Sequence, residues 1–192
     1  MDFSKLAFVD VETTGYSAQH GRVIELGVLR VENGKIVDTL NQLVDPEVPL
    51  NPFIIGLTGI REEELERAPT FYTVTERLQE ILQDTIFVAH CVDFDYGFIR
   101  EEMKRVGLHF SMPRLCTRNL SRALFPEQRR HGVDALMEVH SLQCENRHRA
   151  FDDAEVLWKF WQKCSISEQG TLLKKHLKMP RVPRVRYVDD IE

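Results

Sequence analysis

The 192-residue chain lacks three features, each of which would have set its class early. It has no CxxC pair: Cys91, Cys116, Cys144 and Cys164 stand alone, at spacings that suit neither a zinc ribbon nor a disulfide framework. They read as buried, unpaired thiols of a reduced compartment, and with no secretory leader at the N-terminus the expected setting is cytoplasmic. It has no apolar run near the roughly 20 residues needed to span a bilayer, so no membrane partner is expected. Nor has it an excess of positive charge. The formal net charge is −5, from 25 Lys+Arg against 30 Asp+Glu, which disfavours a protein that coats long nucleic acid. A short substrate gripped at its end, with metals neutralising its phosphates, stays compatible with that balance.

What is present is a globular composition: 43% apolar and 29% charged residues, enough for one compact α/β domain with a tail. Leu6 to Thr14 reads as a strand closed by Gly15, and Tyr16 to Gly21 as a loop. Arg22–Glu32 is a second strand. Asn33-Gly34 signals a tight hairpin into a third strand over Lys35–Val44. Pro46, Pro49 and Pro52 make the next stretch irregular. A short helix is expected over Arg61–Arg67, then a longer one opened by a capping box at Thr73–Glu76. Thr85–His90 is a short buried strand by composition. Helices follow over Phe94–Val106, Leu115–Phe125, Val133–His140 and Phe151–Cys164. The domain is therefore placed at residues 1–164. Residues 165–192, with Lys174, Lys175, Lys178, Arg181, Arg184 and Arg186 around two prolines, read as a flexible basic tail or linker, or as a partner-binding extension.

Three acidic sites stand out. Asp10 and Glu12 are two residues apart on the first strand, so they project from one face, with Cα atoms ~6.6 Å apart. Such a pair repels and loses hydration unless a cation compensates it, or unless it lies on the solvated face of an edge strand. Asp93 and Asp95 sit where a buried strand meets a helix: Asp93 suits an N-cap, whereas Asp95 falls in the first turn. Were the two strands neighbours, Asp95 would lie close to the plane of Asp10 and Glu12. Asp153 lies beside the apolar stripe of the last helix, Asp152 points to solvent, and His148 precedes them on a loop.

Asp10-x-Glu12-Thr13-Thr14-Gly15, His90 through Phe94-Asp95, and His148-x-Ala150-x-x-Asp153-Ala154 together resemble the three motifs of DEDDh (DnaQ-like) 3′–5′ exonucleases, over about residues 5 to 164. The pattern is most similar to the proofreading epsilon subunits of bacterial DNA polymerase III and their stand-alone cousins. Leu57-Thr58-Gly59-Ile60 resembles the family segment that packs on the terminal nucleotide, and Cys91 departs from the family's frequent asparagine. The resemblance implies a ribonuclease-H-like exonuclease fold, a mixed sheet with its first three strands antiparallel and flanked by helices. It implies that Asp10, Glu12, Asp95 and Asp153 hold two Mg²⁺ or Mn²⁺ ions. It also implies that Thr13, Thr14, Gly15, Leu57, Thr58 and Phe94 contact substrate.

The donor chemistry agrees, since hard carboxylates favour Mg²⁺ or Mn²⁺ over zinc. His148, an imidazole on the loop before the last helix, suits a general base toward the attacking water. The expected activity is removal of nucleoside 5′-monophosphates from single-stranded or frayed DNA 3′ ends, in proofreading or repair. An exoribonuclease using the same site and a catalytically silent polymerase-binding module are the alternatives. The partners implied are a single-stranded DNA 3′ end and a DNA polymerase subunit or a further fused domain.

Overall fold

The computed structural model describes residues 3–180. Five strands form one mixed sheet: β1 (Lys5–Thr13), β2 (Val23–Glu32), β3 (Lys35–Leu43), β4 (Ile86–Ala89) and β5 (Arg114–Cys116), in the order β3-β2-β1-β4-β5. The first three are antiparallel, as expected, and β4 and β5 add in parallel beside β1. Asn33 and Gly34 take φ of 50° and 76°, the left-handed pair that a two-residue hairpin requires. β1 lies in the middle of the sheet, so Asp10 and Glu12 are not on the solvated face of an edge strand.

Alternation along β1 divides the core into two layers. Ala7, Val9 and Val11 point to one face, where they meet α3 (Phe71–Leu82) and α4 (Asp93–Arg105) through Leu78, Ile81, Phe98 and Ile99. Leu6 and Phe8 point to the other, against Leu157, Trp158 and Trp161 of α7 (Ala150–Lys163). Asp10 and Glu12 continue the second row, so they face α7. A third small cluster holds α1 (Pro52–Thr58) and α2 (Glu62–Leu65) against Ile24 of β2. The remaining helices are α5 (Thr117–Leu124), α6 (Val133–His140) and α8 (Gly170–His176). Among the described residues, none of the helices is long and apolar enough to cross a membrane.

Several local expectations are corrected. The helix expected from Leu115 begins at Thr117, because Arg114–Cys116 pair with Phe87–Ala89 as the edge strand. Helix α3 starts at Phe71 with Thr70 at its N-cap, so Thr73–Glu76 is not a capping box; Thr75 instead donates its hydroxyl to the Phe71 carbonyl at 2.8 Å. Asp93 is the first helical residue rather than the cap, and its carboxylate takes Lys178 at 2.6 Å and Arg114 at 3.3 Å. All four thiols are free, but only Cys116 is buried.

Residues 165–178, expected to belong to a flexible tail, are packed. Ile166 and Leu173 are fully buried against the α7 layer, and Lys178 exchanges both backbone hydrogen bonds with Arg114 on the sheet edge. Leu172 and Leu177 pack beside them, so the segment carries an apolar face of its own against this layer. Arg181, Arg184 and Arg186 lie outside the described residues.

Candidate active site

β1 outruns β4. Their pairing ends at Phe8 with Val88, and beyond it the Val11 N–H has no strand partner on that side. The first turn of α4 fills the gap: Asp95 Oδ1 accepts from Val11 N at 3.2 Å. Asp95 is 3% exposed, and its Oδ2 has no hydrogen-bond partner among the described residues. A buried carboxylate with one orphaned oxygen is poorly stable unless something positive meets it.

Asp153 arrives from the opposite layer. Gly27 lies across from Asp10 in the β1–β2 register, and a Cβ there would stand 2.1 Å from the Ala150 carbonyl carbon. The absent side chain lets the start of α7 rest directly on the strand. Glu25, fully buried and opposite Glu12, then fastens that end of the helix. It accepts from Arg149 Nε at 2.9 Å, Arg149 Nη2 at 2.7 Å and the Ala150 N–H at 2.9 Å. Further along, Phe8 meets Trp158 and Trp161 with ring centroids 5.3 and 5.5 Å apart, contacts of about 0.5–1.5 kcal/mol each. These contacts fix α7 over β1 and set Asp153, 4% exposed, beside the opening carboxylates.

The loop before α7 completes the group. His148 adopts φ 61° and donates its N–H to Asp153 Oδ2 at 3.3 Å. One ligating atom each from Glu12, His148 and Asp153 lie within 4.8 Å of one another. Arg147 forms ion pairs with Asp153 and, at 2.8 Å, with Asp134. Gly27, Glu25, Arg147 and Arg149 were not singled out from the sequence. A glycine and a glutamate inside an otherwise apolar strand were the available signals.

The electrostatics have one theme. Burial, then Asp95, Asp153 and Glu12 in turn, push the Asp10 carboxyl well above the usual range, with Arg147 opposing them. Burial and Asp153 raise Glu12 to about 8, and burial raises Asp95 to about 8. Asp153 is raised by burial against the pull of Arg147. Four carboxyl groups that resist ionising together, with an imidazole at the margin and no thiolate among them, fit hard divalent cations. Cys144 approaches Asp153 only through a 3.9 Å sulfur contact, and burial raises its thiol, so it adds no soft ligand.

Residues 7–160 match the profile of the exonuclease family described as RNase T. The chain belongs to the DEDDh (DnaQ-like) 3′–5′ exonuclease family. It is 33% identical over 185 residues to a PolC-type DNA polymerase III of Caldanaerobacter subterraneus, covering 91% of this chain and 13% of that protein. It is 32% identical over 164 residues to the 3′–5′ exonuclease DinG of Staphylococcus epidermidis, covering 85% of this chain and 18% of that one. The chain thus spans less than a fifth of either relative's length. Its fold is that of the nuclease domain of 3′hExo, a DEDDh family member solved with rAMP, at TM-score 0.77, 20% identity and coverage of 93% and 98% of the two chains.

Within this DEDDh framework the remaining expected residues are unevenly placed. Thr13 donates its hydroxyl to the Gly15 carbonyl at 2.7 Å, and the Thr14 hydroxyl accepts from Arg22 N at 2.9 Å. Both side chains are therefore spent on shaping the turn after Glu12. A Cβ at Gly15 would meet nothing within 4 Å, so that position borders open space. Thr58 is buried, donating to Ile54 O at 2.9 Å and accepting from Ile60 N at 3.1 Å, which turns its hydroxyl inward. Leu57 and, one turn earlier, Phe53 are the exposed apolar side chains of α1. Phe94 is half-buried with its ring 4.9 Å from Phe98. His90 donates Nδ1–H to the Thr117 hydroxyl (3.0 Å), which itself donates to Ala89 O (3.2 Å), and burial lowers its pKa to about 4. Burial thus favours the neutral imidazole at His90. Cys91 takes φ 60°, a left-handed conformation that asparagine adopts more easily.

Proposed function

We propose that this chain is a divalent-metal-dependent 3′–5′ exonuclease that releases nucleoside 5′-monophosphates from single-stranded or frayed DNA ends, in a proofreading or repair setting. The observation that carries this reading is the meeting of Glu12, Asp153 and His148 within 4.8 Å, with Asp10 close enough to Asp95, Asp153 and Glu12 for each to raise its carboxyl, from β1, α4, α7 and the loop before it. Asp10, Glu12, Asp95 and Asp153 are the metal ligands in this reading. Bound ions supply charge neutralisation at the scissile phosphate and acidify the attacking water.

The chain's own side chains do the rest. His148, on a left-handed loop residue adjoining Glu12 and Asp153, takes the proton from water as the phosphodiester is attacked. Asp95, held through one oxygen by the Val11 N–H, keeps its other oxygen free to serve as a ligand. Gly15 leaves room beside the carboxylates for the terminal nucleotide, with Thr13 and Thr14 fixing that turn. Leu57 and the half-buried Phe94 offer apolar surface for base and sugar, whereas Thr58 acts by closing α1. Sequence similarity to PolC-type polymerase and DinG proteins favours DNA, and a polymerase subunit or fused domain as partner.

The test is digestion of 5′-labelled single-stranded DNA and of the same sequence as RNA, with Mg²⁺, with Mn²⁺ and with chelator. The expected result is a metal-dependent ladder from the 3′ end, faster on DNA, reduced about 10³-fold by Asp10→Ala. Undiminished metal-dependent activity in that variant places the site elsewhere. Faster loss of RNA moves the assignment to an exoribonuclease.

A further inference from the structure

Beside the carboxylate centre lies a region of opposite character. A cavity of about 620 Å³ opens between α5 and α6, lined by Arg118, Arg122, Arg129, Arg130 and His131, with Asp134 its single acidic residue. Arg118 and Arg122 are four apart on α5 and share a face, while Arg129, Arg130 and His131 come from the loop that follows. In a chain of net charge −5 this concentration is local, not a reflection of composition. A larger cavity, about 840 Å³ and lined by Glu76, Glu80 and Asp84 among others, has the reverse balance.

The arginines are largely uncompensated. Among the described residues, Arg118, Arg122 and Arg129 have no carboxylate within ion-pair distance, and Arg130 has only an exposed pair with Glu138 at 2.9 Å. Asp134 is engaged elsewhere, by Arg147 at 2.8 Å. The cavity is also pre-shaped. His131 ties the loop at both ring nitrogens, to Ser121 Oγ at 2.8 Å and to Gln128 O at 3.0 Å. Arg118 donates through Nη1 to Cys91 Sγ at 3.2 Å, leaving its buried Nε without a partner.

Two contacts lead from this cavity toward the cleavage centre, and the first reaches it. Arg147 bridges Asp134 on the rim to Asp153, and Arg118 reaches Cys91, the neighbour of His90. A strand whose terminal phosphodiester sits on the carboxylates therefore needs to cross only one side chain to enter it. We propose that this arginine-lined pocket binds the phosphodiester backbone of the substrate strand on the 5′ side of the bond being cut. Planar guanidinium groups pair with phosphate oxygens in two-pronged fashion and carry no base preference, so the contact is sequence-independent. It resolves the tension between an acidic chain and a polyanionic substrate by confining positive charge to where the strand leaves the site. The proposal rests on the exonuclease reading for the strand's polarity, but not for the existence of the binding surface.

The test uses the full chain and the double variant Arg122→Glu/Arg129→Glu, whose positions are both exposed. Hydrolysis of thymidine 5′-(p-nitrophenyl phosphate), which fills the cleavage centre alone, is compared with hydrolysis of labelled single-stranded DNA and RNA over a range of salt. For the strands, KM is expected to rise at least tenfold. The slope of log(kcat/KM) against log[salt] is expected to become shallower by about 0.7 for each phosphate that the variant no longer neutralises. The small ester is expected to be hydrolysed at an unchanged rate. Unchanged strand KM and salt slope, or equally reduced rates on ester and strand, overturn the proposal. Anisotropy of a fluorescent single strand in chelator reads binding without turnover. Weaker binding by the variant supports the pocket even where wild type cuts nothing and the nuclease reading has failed. Equal affinity of the two proteins sinks the pocket while leaving that reading intact.

Discussion

The carboxylate centre and the arginine pocket adjoin, yet they are assembled by different means. Each acid is carried by an element whose position is fixed by deep packing: β1 in mid-sheet, α4 through Asp95 on a stranded amide, α7 through Glu25 and the bare Gly27. The arginines ride on an eight-residue helix and the loop after it, held by His131 and one thiol contact. The difference follows from what each region must hold. Like charges brought together in a buried site need a rigid frame to resist their repulsion, whereas the mostly exposed guanidinium groups of Arg122, Arg129 and Arg130 tolerate looser support. His148 stands on the acidic side of this divide, and its replacement is expected to have the largest effect. His148→Ala should lower turnover about 10²–10⁴-fold while Mn²⁺ affinity, measured calorimetrically, stays within about twofold. Because its ring lies within ligand distance of Glu12 and Asp153, a parallel drop in metal affinity would make it a ligand instead.

The same contrast explains which features are legible in the sequence. Asp10 and Glu12 announce themselves by two-residue spacing in an apolar strand, and the hairpin by Asn33-Gly34. Asp95 and Asp153 need the knowledge that β4 lies next to β1 and that α7 crosses it, which spacing alone does not supply. Glu25 and Gly27 stay hidden because their roles depend on what lands on β2, and a helix that arrives from the far end of the chain is invisible locally. β5 escapes because three residues of strand running straight into a helix share that helix's apolar pattern. The fold-back of Ile166 and Leu173 hides among basic residues that resemble a linker. The arginine pocket is masked by an overall negative charge, an average that says nothing about where the positive residues meet.

Acid–acid repulsion in the centre should also be visible in stability. Glu12 and Asp95 sit at about 8, and Asp10 and Asp153 are raised above their ordinary values of 3.8. The native state therefore holds more protons than the unfolded chain between those limits. Stability of the metal-free protein must then fall as pH climbs from about 4 through about 8. Divalent cations, which bind the ionised groups, should reverse that fall most strongly at the alkaline end. Asp10→Asn removes one of the interacting charges. Its melting temperature in chelator at pH 8 is expected to rise by about 2–4 °C for each kcal/mol of repulsion relieved, with a smaller gain from Mg²⁺. A wild-type melting temperature that is flat or rises with pH in chelator would remove the case for crowded acids here.

Arg147 is where the two regions meet, and it supplies the finest test of their relation. Its guanidinium neutralises Asp153 and lowers the pKa of Asp10 and Glu12, while its other nitrogen holds Asp134 on the rim of the arginine pocket. A cation that binds Asp153 has to compete with that arginine. Arg147→Met keeps the length of the stem and removes the competitor, so Mn²⁺ affinity should rise severalfold while the metal-free protein becomes less stable. Were Arg147 instead the strut that aims Asp153 into the centre, the same variant would bind metal more weakly. The sign of the change decides between them. A weaker metal site would mean that the basic side positions the acidic one, while a tighter site would mean that it merely shields the acids until the ions arrive.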